Sequence, residues 1–285
     1  MDKLADKSAV WNLSCREWAH FVKNSPAYQL NMQFVVNVIK DLGSKVIMDI
    51  GCGTGDLSKK ILHSIPGVDL IYLDQSVNML NSAKTLLRGS GRGYLLDFCT
   101  PFNEKRMLLG KNYFADLIVC HITFPLSAAE LDKFGDFLNF CDLCLSDAGY
   151  VVLTLNNTAL QIEEDSFDPM KDIFRQELNA AVSELDLADA YRSEKHLKID
   201  SKELREAIDK TGKFRVVSRF KNVLPFSMRE RIDLWKVPAI FDNVFVYERF
   251  NEDVFNALFS MLGSRLLGKS TQDMITESYI ISKTI

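Results

Sequence analysis

The sequence predicts a doubly wound α/β fold: a mostly parallel, seven-stranded sheet with an antiparallel last strand, plus a helical cap from N-terminal helices and late insertions. Three observations predict it. Short apolar runs alternate with helix-period segments from residue 45 to 156, the pattern of a parallel sheet with helices on both faces. The first apolar run ends in a cluster of glycines. The alternation stops after Asn157, and aromatic-rich helical segments then precede one last apolar run.

The elements follow in order. Residues 8–42 read as two helices, because Trp11, Cys15, Trp18, Ala19 and Val22 recur at three- and four-residue steps, as do Met32, Val35, Val36 and Ile39. Ser25-Pro26 separates them, and Gly43 is placed to cap the second. The run 45–50 is short, apolar and followed by Gly, as a buried parallel strand is. Helix 56–64, strand 69–74, helix 78–88 and strand 93–97 come next, then strand 116–123, helix 128–145 and strand 149–156. Residues 158–198 read as polar amphipathic helices and a loop, 201–210 as a helix that Ser201 could cap, and 214–221 as a strand. Residues 225–275 hold helices and many aromatics, and 279–283 is a terminal strand expected to pair with 214–221. The chain divides into an N-terminal helical cap segment (1–40), a core (41–157), and cap helices with completing strands of the same domain (158–285).

With 34 Lys+Arg against 38 Asp+Glu, the net charge is −4. No long cationic run is present to neutralise phosphates, so nucleic acid is not an expected partner. Residues 1–12 carry charges and no apolar segment of a secretory signal, and no uncharged apolar stretch is long enough to span a membrane. The irregularly spaced cysteines do not form a disulfide framework, and Cys141-x-x-Cys144 sits in an apolar helical pattern. A reducing, cytoplasmic location is expected. No His/carboxylate set has the spacing of a metal site.

The chemistry gathers around Asp49-Ile50-Gly51-Cys52-Gly53-Thr54-Gly55-Asp56. A strand ends in G-x-G-x-G and a helix begins, so backbone can approach a ligand closely. Asp74, 19 residues after Gly55, stands at the end of the next strand, where an acid can accept from ribose hydroxyls. Asp56 occupies the position of the third glycine of a dinucleotide loop and would repel a pyrophosphate.

Residues ~40–157 resemble a class I S-adenosylmethionine-dependent methyltransferase of small-molecule type, with a Rossmann-like fold. The matching pieces are Asp49–Gly55, Leu73-Asp74-Gln75, Leu96-Asp97-Phe98, Ala115–Cys120, and Leu145–Leu155 with Gly149 as its turn glycine. The resemblance implies S-adenosyl-L-methionine as cofactor. Gly51, Gly53 and Gly55 would pack against its methionine moiety, Asp49 would hold its amino group and Asp74 its ribose, with Gln75 a further cofactor-binding candidate. Asp97 would accept from the adenine amino group, Phe98 would stack, and Cys120 or His121 would lie at the methionine end. Asp116, at a strand start, reads as structural. His121 is the candidate general base and His20 a weaker one. Trp18, Tyr28, Trp235 and Phe241 are candidate substrate-pocket residues. The segment Cys120-His-Ile-Thr-Phe-Pro125 lacks the Asn/Asp-Pro-Pro-aromatic motif of methyltransferases acting on exocyclic amines. The resemblance therefore implies methyl transfer to an O, N or C nucleophile of a small metabolite, in specialised metabolism. The alternatives are a cyclase or other user of the same cofactor without methyl transfer, a non-catalytic cofactor-binding protein, and an oxidoreductase.

Overall fold

The computed structural model describes residues 7–96, 115–123, 131–156, 160–161, 173–187, 190, 199–242, 245, 247, 250–269 and 272–284. Two helices, α1 (Lys7–Asn24) and α2 (Pro26–Asp41), precede the alternating unit. That unit comprises β1 (Val46–Ile50), α3 (Asp56–Ser64), β2 (Asp69–Asp74), α4 (Val77–Leu87), β3 (Arg92–Leu95), β4 (Ala115–His121), α5 (Leu131–Cys144) and β5 (Leu145–Asn156). Then follow α6 (Ile173–Glu184), α7 (Ser201–Lys210), β6 (Phe214–Phe226), α8 (Met228–Trp235), α9 (Pro238–Phe241), α10 (Glu252–Leu266) and β7 (Gln272–Lys283).

The seven strands lie in the order β3-β2-β1-β4-β5-β7-β6. Pairs β1–β2, β1–β4, β2–β3 and β4–β5 are parallel, and β7 runs antiparallel to both β5 and β6. The expected sheet, with its reversed last strand, is therefore present. Order reverses at β1, between β2 and β4, which opens a crevice at the carboxyl ends of those strands.

Local sequence explains the elements. Ser25 caps α2 by accepting from Tyr28 N at 3.2 Å, with Pro26 in the first turn. Gly43, at φ +69°, ends the same helix. Successive residues of β1 serve opposite faces: Met48 and Ile50 join the core under α5 and α7, while Ile47 joins the core under α2, α3 and α4. Both faces are covered, so the strand is apolar throughout except at Asp49. Asp116 fastens the start of β4 to β1, its Oδ2 accepting from Lys45 N at 3.0 Å and Val46 N at 2.9 Å. Cys141 and Cys144 are buried free thiols in α5.

Three local expectations change. The last strands are longer than the runs 214–221 and 279–283. They form a ribbon paired from Phe214↔Lys283 to Phe226↔Gln272, and its outer strand tolerates Pro225 because β6 is the sheet edge. Gly149 lies inside β5 rather than in a turn. The register shifts there, and a Cβ would stand 2.6 Å from Leu145 Cγ. Ser201 starts α7, but its buried Oγ has no hydrogen-bond partner among the described residues, so it does not cap.

A third apolar cluster is made by α6, α8, α9 and α10 around Phe174, Phe241, Phe245 and Phe259. Among the described residues, no helix is long and apolar enough to cross a membrane.

Candidate functional site

The turn leaving β1 is built on left-handed backbone at Gly51 (φ +68°), Gly53 (+54°) and Gly55 (+87°). A Cβ on Gly51 would stand 1.8 Å from Thr123 Cγ2. Its absence lets the Thr123 hydroxyl donate to the carbonyls of Gly51 and His121, each at 3.0 Å. Gly51 N and Cys52 N both donate to Leu73 O, at 2.8 and 2.9 Å, binding the turn to the end of β2. A Cβ on Gly53 would stand 3.1 Å from Trp18 Nε1, so α1 rests directly on the turn. Gly55 begins α3 without a side-chain cap.

Two buried carboxyls flank this turn. Asp74 ends β2; its Oδ2 accepts from Gly53 N and its Oδ1 from Ser76 N, both at 2.8 Å. Burial raises its pKa, against the lowering effect of backbone hydrogen bonds from Ser76, Gly53 and Gln75. Asp49, 1% exposed, accepts from Ser58 Oγ at 2.6 Å. Burial pushes its carboxyl up to about 7; the Ser58 bond opposes this and the Asp74 charge adds to it. Among the described residues, no cation is one of the groups that shift either carboxyl.

The far wall comes from α1 and α2. Trp18 packs edge-on against Tyr28 with ring centroids 5.5 Å apart, and Tyr28 packs edge-on against His121 at 5.3 Å. His121 ends β4 and is 6% exposed. Tyr28 Oη stands 3.5 Å from its Nδ1, and Asn31 Nδ2 3.1 Å from its Nε2. Burial pushes the imidazole down to about 3, so the ring is neutral at ordinary pH. Burial, with the charges of Asp56 and Asp49, pushes the Tyr28 phenol far up.

Asp49, Gly51, Gly53, Gly55, Asp74, Gln75 and His121 thus meet at one end of the sheet, joined by Trp18 and Tyr28. Cys120 pairs with Ile50 in the backbone register, but its side chain belongs to the core under α5. His20 is exposed on α1, beside Asn24. Phe241 is fully buried in the third apolar cluster, and Trp235 packs against that cluster at Phe174. Asp97 and Phe98 lie outside the described residues. Sequence reasoning missed Asn31, Ser58 and Thr123. Asn31 left a readable signal: it is a polar residue on the face of α2 that carries Tyr28, Val35 and Ile39, and it is fully buried.

No family model matches the chain. The ribosomal RNA large subunit methyltransferase G of Pseudoalteromonas atlantica is 41% identical over 46 residues, which span 16% of this chain and 12% of that protein. Solved structures match over nearly the whole length. A mycolic acid cyclopropane synthase complexed with S-adenosylhomocysteine and CTAB superposes with a TM-score of 0.55 at 16% identity, over 99% of this chain and 100% of that one. A Haemonchus contortus phosphoethanolamine N-methyltransferase, in complex with phosphomonomethylethanolamine and S-adenosylhomocysteine, gives 0.54 at 15% identity, over 96% of this chain and 58% of that one. A cyclopropane synthase of Mycobacterium tuberculosis gives 0.50 at 17%, over 90% and 84%.

Proposed function

We propose, from the class I S-adenosylmethionine-dependent methyltransferase fold that this chain shares, that it transfers a methyl group from S-adenosylmethionine to a small-molecule acceptor. The observation that carries the reading is Asp74, a buried carboxylate at the end of β2 that accepts from Gly53 N of the left-handed turn. Backbone N–H groups of Gly53, Ser76 and Gln75 donate to it, which leaves one of a carboxylate's roughly four acceptor sites for a ligand hydroxyl. The turn also suits the ligand's charge. Asp49, Asp56 and Asp74 surround it, which disfavours a pyrophosphate and favours a molecule bearing ammonium and sulfonium groups.

S-adenosylmethionine supplies an activated methyl group on a sulfonium centre. The chain's own residues bind and orient. Asp74 would hold the ribose, the Gly51–Gly55 backbone the amino-acid end, and Asp49 the ammonium group. Trp18 and Tyr28 would exclude water and face the cation with their rings. Holding an acceptor in line with the methyl–sulfur bond can lower the barrier by about 7–11 kcal/mol. A small acceptor is supported by the net charge of −4 and by the aromatic wall of α1 and α2 over the turn.

Thermal unfolding with S-adenosylmethionine, S-adenosylhomocysteine and NADH, each alone, tests the reading. A ligand at ~100 times its Kd adds about 2.7 kcal/mol, a rise of roughly 5–10 °C at this size. The two adenosyl-sulfur compounds should raise Tm and NADH should not. A rise with NADH alone would make the chain a nicotinamide-binding protein. Asp74→Ala should weaken S-adenosylhomocysteine binding by ~1–3 kcal/mol in calorimetry, and unchanged affinity would remove Asp74 from the site.

A further inference from the structure

One face of the sheet turns from apolar to polar at its carboxyl end. Along β4, Leu117 and Val119 lead to His121; along β5, Val152 leads to Thr154; on β7, Ile280 gives way to Ser278 and Thr276. Thr154 and Ser278 bond each other at 2.9 Å. Over this row α2 inserts Asn31, whose Oδ1 accepts from Thr276 Oγ1 at 3.0 Å and, weakly, from Asn222 Nδ2 at 3.5 Å. Two donors on that oxygen orient the amide and turn its NH2 toward His121 Nε2, at 3.1 Å. Nε2 is then an acceptor, so a neutral ring must carry its proton on Nδ1, the nitrogen 3.5 Å from Tyr28 Oη. Neither nitrogen is left to take a proton from an acceptor molecule. The Tyr28 hydroxyl meets only this ring among the described residues, and an oxygen that accepts from Nδ1–H has its own hydrogen to give elsewhere.

We propose that His121 is a positioning residue, not a base: Thr276 and Asn31 fix its tautomer, and its Nδ1–H orients Tyr28 to donate a hydrogen bond to the ligand on the glycine turn. The ligand's part rests on the methyl-donor reading above. Trp18 links the two halves, since it touches both Gly53 and Tyr28. High phenol basicity keeps Tyr28 protonated, as a donor must be.

Two measurements test this. Long-range proton–nitrogen correlation spectra of the full chain at neutral pH report the tautomer of each histidine ring, with His121→Gln identifying the resonance. Protonated Nδ1 and bare Nε2 are expected for His121; the reverse tautomer, or an imidazolium, would overturn the chain of hydrogen bonds. Calorimetry with S-adenosylhomocysteine tests the ligand. Tyr28→Phe and His121→Phe should each weaken binding about three- to tenfold, and the double variant no further. His121→Gln can accept from Asn31 and donate to Tyr28, so it should bind closer to wild type than His121→Phe; it also serves if the Phe variant does not fold. Additive losses, or affinities that neither substitution moves, would overturn the role of Tyr28. No binding by the wild type would overturn both the cofactor assignment and the role of Tyr28, leaving the imidazole result to stand alone.

Discussion

At the scale of single residues, the site is dominated by what burial does to charge. Asp49 has a folded pKa of about 7, well above the ordinary value of about 3.9. A raised folded pKa means that the folded state holds a proton the unfolded state has released, over the window from about 4 to 7. Its contribution to stability is fully present below the lower value and declines as pH rises through the upper one. Asp49→Asn removes this dependence. In urea titrations, the stability of the variant relative to wild type should improve by ~2–3 kcal/mol between pH 5 and pH 8; a pH-independent difference would mean that the carboxyl titrates normally. An ammonium-bearing ligand favours the ionised carboxylate, so its binding near neutral pH should expel a proton. Calorimetry in two buffers of different ionisation enthalpy reads that directly. Asp49, Asp74 and the three glycines were legible because their spacing along a strand–turn–helix is local. Asn31 and Thr276 were not, because nothing in the sequence says that α2 crosses the end of β7.

At the scale of elements, most helix and strand boundaries follow local signals, and the joints between them do not. Ser25 starts α2, and Ser227 and Glu230 form a capping box at the start of α8. A reader of the sequence can find each cap separately. Glu230, however, serves both helices. Its Oε1 accepts from Ser25 Oγ at 2.7 Å and Ala27 N at 3.1 Å, and its Oε2 from Ser227 N at 2.9 Å and Ser227 Oγ at 2.7 Å. One negative charge therefore answers the positive ends of two helix dipoles. Burial alone would raise this carboxyl; the hydrogen bonds from Ser25, Ser227 and Ala27 outweigh it and hold the pKa below the usual value. The sign is that of a depressed acid: the stabilisation is present above the ordinary carboxylate pKa and lost as pH falls through the folded one. Glu230→Ala should cost about 2–4 kcal/mol at neutral pH, combining two lost caps with buried donors left unpaired. A loss under ~1 kcal/mol in urea unfolding would show that water replaces the carboxylate. The ribbon of β6 and β7 is longer than its apolar runs for a related reason. Polar residues alternate along its edge strand β6 and interrupt the apolar run of β7, and Asn222 and Thr276 look like loop residues until Asn31 is seen to satisfy them.

At the scale of the whole molecule, the crevice is local in its floor and distant in its walls. β1, β2 and β4 supply the floor from residues 46–121, the stretch in which strand–helix alternation was plainest. The walls are α1 and α2, and α1 is held at two places. Asn12 Oδ1 accepts from Ser76 Oγ at 2.7 Å and Asn78 N at 3.1 Å at the start of α4, and Ser14 Oγ accepts from Ala239 N of α9 at 2.8 Å. The aromatic-rich region after β6 therefore reaches the site through α1. Phe241 is the centre of that region, stacked on Phe245 at 4.7 Å and met edge-on by Phe250 at 4.8 Å and Phe255 at 5.2 Å. Aromatic composition suggested a lined pocket; the packing makes these rings a core of their own. The two roles separate by mutation. Phe241→Ala empties a fully buried position and should cost about 3–5 kcal/mol of stability. With α1 still anchored on α4 by Asn12, affinity for S-adenosylhomocysteine should stay within about twofold of wild type. Trp18→Ala, at a half-buried ring, should do the opposite, costing less stability and weakening binding, because it strips the wall from Gly53. Urea unfolding beside calorimetry on both variants decides it: a Phe241→Ala protein that is folded yet has lost most of its affinity would make the aromatic cluster part of the binding site.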